Sequence, residues 1–271
     1  MRPATPLDPT LKSWPVPQYR HFPVLSFGPA STNDIRSTAR SLEDIDAEVG
    51  SAETKRQNIA GKSHVRSLLE ELHTLSLPSV DDEEREPDPT WRFYVFVTSY
   101  SNAALDNLSK AMTNWIELTR QDLDYYGSYG AEALRRLRMD VIIDAEKLSG
   151  ASDDRIREEL CAQIRGLQLS GKTESSPPGR YSACFVLDEE AIVKLAGLVL
   201  PEDPTHDDRS YSNLTVKLID RLWDWRSLSN LVAYKGVRHC SITSLAELFE
   251  LLVSNRLSLE EIHGLRHPFA P

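Results

Sequence analysis

Hydrophobic and polar positions change period several times along the chain, and the changes mark its elements. From Trp91 the pattern alternates between strand-like and helix-like runs. "WRFYVFVTSY", Trp91 to Tyr100, is rich in aromatic and β-branched residues, as a strand should be. In "AALDNLSKAMTNWIELTRQ", Leu105, Leu108, Met112, Trp115 and Ile116 recur at helical spacing behind a possible cap at Asn102. After the turn-rich "YYGSYG", "LRMDVIIDA" (residues 137–145) predicts a second strand. A helix over 152–168 follows, carrying Ile156, Leu160, Ile164 and Leu167 behind Ser152, Asp153 and Asp154. "RYSACFVLDEEAIVKLAGL" (180–198) reads as a third strand running into a helix, and "LTVKLIDRLW" (214–223) as a fourth strand.

The flanks have other patterns. Pro3, Pro6, Pro9, Pro15, Pro17, Pro23 and Pro29 fall among Trp14, Tyr19, Phe22 and Phe27, which predicts an extended arm over residues 1–33. Over 34–77 the period becomes helical, with a weaker helix near 34–49 and a stronger one near 63–76, where Val65, Leu68, Leu69, Leu72 and Leu75 make a narrow stripe. Acids and prolines crowd 78–90, the composition of a linker. Beyond the core (91–226), residues 227–271 contain two capping boxes, Ser244 with Glu247 and Ser258 with Glu261, and predict a C-terminal helical extension. Leu245, Leu248, Phe249 and Leu252 form the apolar face of its first helix.

Strand polarity chooses between two sheets. Three of the four strands end in aspartate: Asp144, Asp188 and Asp220. In an α/β parallel sheet all three carboxylates would share the carboxyl edge, where they could hold magnesium. The alternative is an α+β, ferredoxin-like four-stranded antiparallel sheet of order 4-1-3-2, with the helix 152–168 inserted between the second and third strands. Interior strands should be the least charged, and edge strands tolerate charge. "FYVFV" and "ACFVL" are uncharged, whereas the second strand contains Arg138 and Asp140 and the fourth Lys217. The expected fold is therefore ferredoxin-like. Asp188 would then end its strand at the opposite rim from Asp144 and Asp220, those two would be separated by both central strands, and no shared metal site would form. Asp188 instead suits the N-cap of "EEAIVKLAGL", with Glu189 and Glu190 in its first turn.

Composition narrows the partners. With 31 basic and 41 acidic side chains the net charge is -10 and no basic face is gathered, which argues against nucleic acid and anionic membranes. No apolar run approaches the ~20 residues of a membrane helix, and the proline-broken N-terminus resembles neither a signal nor a transit peptide. Cys161, Cys184 and Cys240, without paired spacing, read as buried reduced thiols, so the expected compartment is the cytoplasm, with the nucleus as alternative.

Catalytic motifs are missing. His239 beside Cys240 has no second pair at zinc-ligand spacing, and Gly171, Lys172 and Thr173 follow a helix rather than a strand, unlike a phosphate-binding loop. Tyr125, Tyr126 and Tyr129 could stack on a ligand, but such a loop more commonly covers the neighbouring sheet. No cofactor or metal is expected. Candidate catalytic residues reduce to Tyr100, Asp144, Asp188 and Asp220.

The blocks around Thr98 and Tyr100, the Leu148–Ser152 turn "LSGAS", and the Asp188–Ala191 joint "DEEA" resemble those of a group of uncharacterised proteins from filamentous fungi, over residues 91–225. The resemblance implies a shared fold and a fungal, intracellular setting, and no activity. The expectation is a non-enzymatic interaction or accessory protein that engages a protein partner, or itself, through residues 1–77. The alternative is a small-molecule-binding protein or enzyme with a pocket between the sheet and the C-terminal helices.

Overall fold

The uncharged strand around Phe93 and Val95 lies at the middle of a sheet and sets the direction of its neighbours. The computed structural model describes residues 24–30, 32–49, 64–76, 90–169, 181–200, 211, 214–221, 223, 235–243 and 245–253. In chain order its elements are β1 (Val24–Phe27), α1 (Thr32–Thr38), α2 (Leu42–Val49), α3 (His64–Ser76), β2 (Trp91–Val97), α4 (Asn102–Asp124), α5 (Gly127–Arg136) and β3 (Leu137–Ile142). They continue as α6 (Ala145–Leu148), α7 (Asp153–Leu169), β4 (Ala183–Leu187), α8 (Glu189–Ala196), β5 (Thr215–Asp220), β6 (Val237–Ser241) and α9 (Leu245–Val253). The strands form one sheet of order β1-β3-β2-β4-β5-β6. Its centre is parallel: β2 runs with β3 on one side and with β4 on the other. The flanking strands are antiparallel, β1 on β3, β5 on β4 and β6 on β5.

This overturns the ferredoxin-like expectation and fits the α/β alternative better. Two features of the chain defeated the polarity argument. First, α7 is a crossover that carries the chain from β3 over β2 to β4 and returns it parallel, rather than an insertion ahead of a reversed strand. Second, β3 is not an edge. Within the segment read as an arm, β1 covers the outer side of β3, and its register sets Ser26 opposite Asp140. The charged side chains of β3 are buried there and hydrogen-bonded. Asp140 accepts from Ser26 Oγ at 2.8 Å and from Arg92 Nη1 at 3.1 Å, and Arg138 donates to the Leu137 carbonyl at 2.7 Å. At Gly28, just after β1, a Cβ would lie 2.6 Å from the Leu137 carbonyl oxygen and run into the Arg138 guanidinium. Glycine is what lets this turn pass so close. The charged Lys217 strand is likewise an interior one, flanked outside by β6.

Alternation along each strand divides the apolar side chains between two layers. Trp91, Phe93, Val95 and Val97 of β2, with Phe185 and Leu187 of β4, face a thick layer built from α3, α4, α5, α8 and α9. Tyr94 and Phe96 of β2, with Cys184 and Val186 of β4, face a thinner layer in which Ile156, Leu160 and Ile164 of α7 close the core. Edge-to-face ring pairs join Phe185 to Phe93 and Trp115, and Phe249 of α9 to Trp91 and Phe93.

The N-terminal helices belong to the thick layer. Val65, Leu68, Leu69 and Leu72, the stripe of α3, are at most 1% exposed, as are Ile35 of α1 and Ile45 of α2. Polar contacts register them on α5. Arg136 donates to the Arg40 carbonyl at 2.8 Å, the Arg40 amide donates to Glu132 at 3.2 Å, and Tyr129 donates to Asp46, which also pairs with Arg66. Tyr126 meets His64 edge-on at 5.0 Å, so two tyrosines of the "YYGSYG" segment are laid against the N-terminal helices, and Tyr125 is exposed.

Burial holds the His64 pKa below its ordinary 6.5. The unfolded chain therefore takes up a proton near pH 6.5 that the folded one refuses until lower pH. Stability is full above pH 6.5 and declines as the pH falls from there through the depressed folded value. The expected outcome is a lower denaturant midpoint at pH 5.5 than at pH 7.5, with a smaller difference in His64→Gln.

Among the described residues no helix is long and apolar enough to cross a membrane.

Candidate functional site

In open α/β sheets, ligands bind outside the carboxyl ends of parallel strands, where the chain leaves adjacent strands toward opposite faces. That divergence occurs here between β2 and β3. β2 leads through Ser101 into α4 on the thick layer, and β3 leads through Asp144 into α6 and α7 on the thin one. β4 joins β2 on the thick side, because α8 packs along α4, where Asn114 Nδ2 donates to the Leu195 carbonyl at 2.8 Å. The place to look for chemistry is thus the rim around Thr98, Tyr100 and Asp144.

Tyr100 fills that place. Its hydroxyl donates to the Val97 carbonyl at the end of β2 (2.9 Å) and accepts from the Asp144 amide just past β3 (2.7 Å). Its half-buried ring packs against both apolar layers. One phenol thus satisfies two backbone groups that would otherwise face an open crevice. Burial, followed by the nearby Asp144 carboxylate, pushes its pKa well above the ordinary tyrosine value despite the bond from the Asp144 amide, so it stays protonated and is no general base. The turn before α7 closes the other side: the Gly150 amide donates to the Thr98 carbonyl at 3.0 Å, and the Thr98 amide to the Leu187 carbonyl at 2.9 Å. Gly150 holds φ at +61°, the left-handed conformation that glycine adopts without a Cβ penalty.

Three acids of the rim, Asp144, Asp188 and Glu190, are occupied with their own helices. Asp144 accepts from the Lys147 amide at 3.1 Å as the N-cap of α6, and Asp188 from the Ala191 amide at 2.9 Å as the N-cap of α8. Ser101, one residue before the expected Asn102, caps α4 through the Ala104 amide at 3.1 Å. Glu189 accepts from Ser99 Oγ at 3.2 Å, and Glu190 pairs with Lys194. Asp188→Ala should cost about 1 kcal/mol, the usual loss of an N-cap, and Asp188→Asn much less. Urea titration of the three chains measures this.

Asp144 and Asp188 therefore share the carboxyl rim, on either side of β2, which corrects the placement expected from an antiparallel sheet. Asp220 does not join them. It lies across from Ala183, at the start of β4 and so on the opposite rim, where its carbonyl accepts from Arg157 Nε at 2.7 Å. The shared three-acid edge that a parallel sheet would have given does not form either, because β5 runs against β4. Among the described residues no group of three or more His, Cys, Asp or Glu side chains is placed to hold a metal ion.

The remaining candidates are separated by the fold as well. His239 is exposed and Cys240 buried, on alternate faces of β6, so the pair cannot act as a dyad. Burial pushes the Cys240 thiol up to about 12 and raises that of Cys184 as well, which leaves neither a thiolate at neutral pH. Gly171, Lys172 and Thr173 lie outside the described residues. Thr98 and Gly150 were not among the candidates; the "LSGAS" turn was the only sequence signal for the latter.

Comparison of the chain with protein-family models, with curated proteins and with solved structures finds no match. The reading of function therefore rests on the geometry of this chain.

Proposed function

We propose that this is a non-enzymatic interaction or accessory protein of the cytoplasm, whose α/β body presents the proline- and aromatic-rich N-terminal segment to a protein partner. The observation that carries this reading is the closed rim. Where this fold class accommodates ligands, Tyr100 bridges β2 to β3 with both of its hydrogen bonds spent, Asp144 and Asp188 cap helices, and Glu190 pairs with Lys194. The rim also disfavours phosphates: Asp144, Asp188, Glu189 and Glu190 stand against Lys147 and Lys194. Between the sheet and α9, the space of the alternative pocket is taken by Phe249 against Trp91 and Phe93.

Ile35, Ile45, Val65, Leu68, Leu69 and Leu72 are buried in the fold, which directs the reading to the residues before β1. There Trp14, Tyr19 and Phe22, spaced by prolines that limit the entropy lost on docking, suit an apolar groove on a partner. The test compares proteins recovered with the tagged chain and with a Trp14→Ala/Tyr19→Ala/Phe22→Ala variant from the same cells. A stoichiometric partner held by the first and lost by the second supports the reading. Identical recoveries contradict it.

A further inference from the structure

We propose that the surface made by the outer edge of β3 together with α5 and α9 is an exchange site, filled in the monomer by the chain's own β1–α3 unit and, in a dimer, by the same unit of a second copy. The unit's elements each dock on the later residues. Its buried side chains, Phe27, Ile45, Val65, Leu68, Leu69 and Leu72, point into a core otherwise made by residues after Trp91. The polar anchors cross the same boundary: Ser26 to Asp140, Arg40 to Glu132 and Arg136, and Asp46 to Tyr129. None of these contacts depends on which copy of the chain supplies the unit.

The only covalent path across the boundary is residues 77–89. Stretched out, they span about 45 Å at ~3.3 Å per residue, enough to reach an adjacent molecule whose radius of gyration is roughly 18 Å. The body cannot stay bare, because β3 would expose a free strand edge beside an open apolar face. One unit must therefore sit on every body. That requirement makes the exchange reciprocal, and the product a closed twofold dimer rather than a chain of molecules.

With equal contacts in both forms, the linker sets the balance. A tether of this length gives its own unit an effective concentration of roughly millimolar, so the monomer dominates in dilute solution and the dimer forms when chains fold together at high concentration. Undocking buries nothing in return, so a dimer once formed should persist on dilution. The inference stands apart from the proposed partner of the N-terminal segment, and its test involves no partner.

Leu25 and Val141 are opposite each other in the β1–β3 ladder, within the Cα separation that a disulfide bridges. Leu25→Cys and Val141→Cys chains are refolded together at several concentrations with glutathione disulfide as oxidant, which is reduced as the two thiols join. The double variant in one chain checks that the pair closes. The expected result is a covalent heterodimer linked between positions 25 and 141, at least tenfold more abundant after concentrated than after dilute refolding. In parallel, the unmodified chain refolded at high concentration yields a dimer by light scattering that survives dilution. An intrachain bond in the double variant without any 25–141 heterodimer overturns the proposal. So does an unmodified chain that refolds only to monomer at every concentration.

Discussion

Replacing Glu132 by alanine should remove about 3–5 kcal/mol of stability, the usual cost of leaving a buried charge without its partner. The Glu132 side chain is 2% exposed and that of Arg136 6%, and they meet at 2.7 Å, with Arg135 adding a second pair at 2.8 Å. The same carboxylate receives the Arg40 amide, so the loss reaches the docking of α1 and α2 as well. Burial alone would raise the Glu132 pKa, but Arg135 and Arg136 outweigh it and hold the carboxyl below its ordinary value. Its contribution is therefore present above about pH 4.5 and is lost as the pH falls through the depressed folded value. Urea titrations should show a large fall in midpoint at pH 7 with an unchanged slope, and a shrinking difference from the parent chain below pH 4.5. Replacing both Glu132 and Arg136 by methionine should cost far less than Glu132→Ala, because no buried charge remains.

Tyr100→Ala should cost about 2–4 kcal/mol, somewhat less than truncating a fully enclosed ring, since Tyr100 is half-buried. Tyr100→Phe separates the two contributions. It keeps the packing and leaves the Val97 carbonyl and the Asp144 amide without the hydroxyl, for a loss of about 1–3 kcal/mol. A catalytic or ligand-binding tyrosine would behave differently, because its removal commonly leaves stability unchanged or raises it. Thermal and urea denaturation of the three chains distinguish the roles: large losses in the order Ala, then Phe, identify a structural bridge.

Local chemistry was more legible in the sequence than the sheet was. "FYVFV" and "ACFVL" are adjacent interior strands, and Asp188 caps the helix that its Glu189 and Glu190 begin, because caps and alternation depend on near neighbours. Sheet order depends on distant ones. Arg138 and Asp140 look like edge markers until Arg92 and Ser26 are brought beside them, and Ser26 arrives on a four-residue strand embedded among prolines. β6 was hidden in the same way, since "VRHCS" carries Arg238 and His239 on a strand where only the last two residues are buried. The stripe of α3 was visible as helical, but its period could not show that α9 and α5 already cover it. For the rim, Tyr100 and Asp144 were both legible as polar groups at strand ends. That the tyrosine hydroxyl bonds the Asp144 amide was not, because it requires β2 and β3 to be parallel neighbours.

Between β2 and β3 the chain's own Tyr100 bridges the carboxyl rim, and the proposed function expects no ligand to displace it there. The most direct test is a thermal-denaturation screen of the natural chain against nucleotides, divalent metals and common metabolites at millimolar concentration. A compound present at a hundred times its dissociation constant adds about 2.7 kcal/mol, which raises the midpoint by roughly 5–10 °C in a chain of this size. No such rise is expected. A compound that stabilises the natural chain, and does so no longer once Tyr100 or Asp144 is replaced, would contradict that expectation.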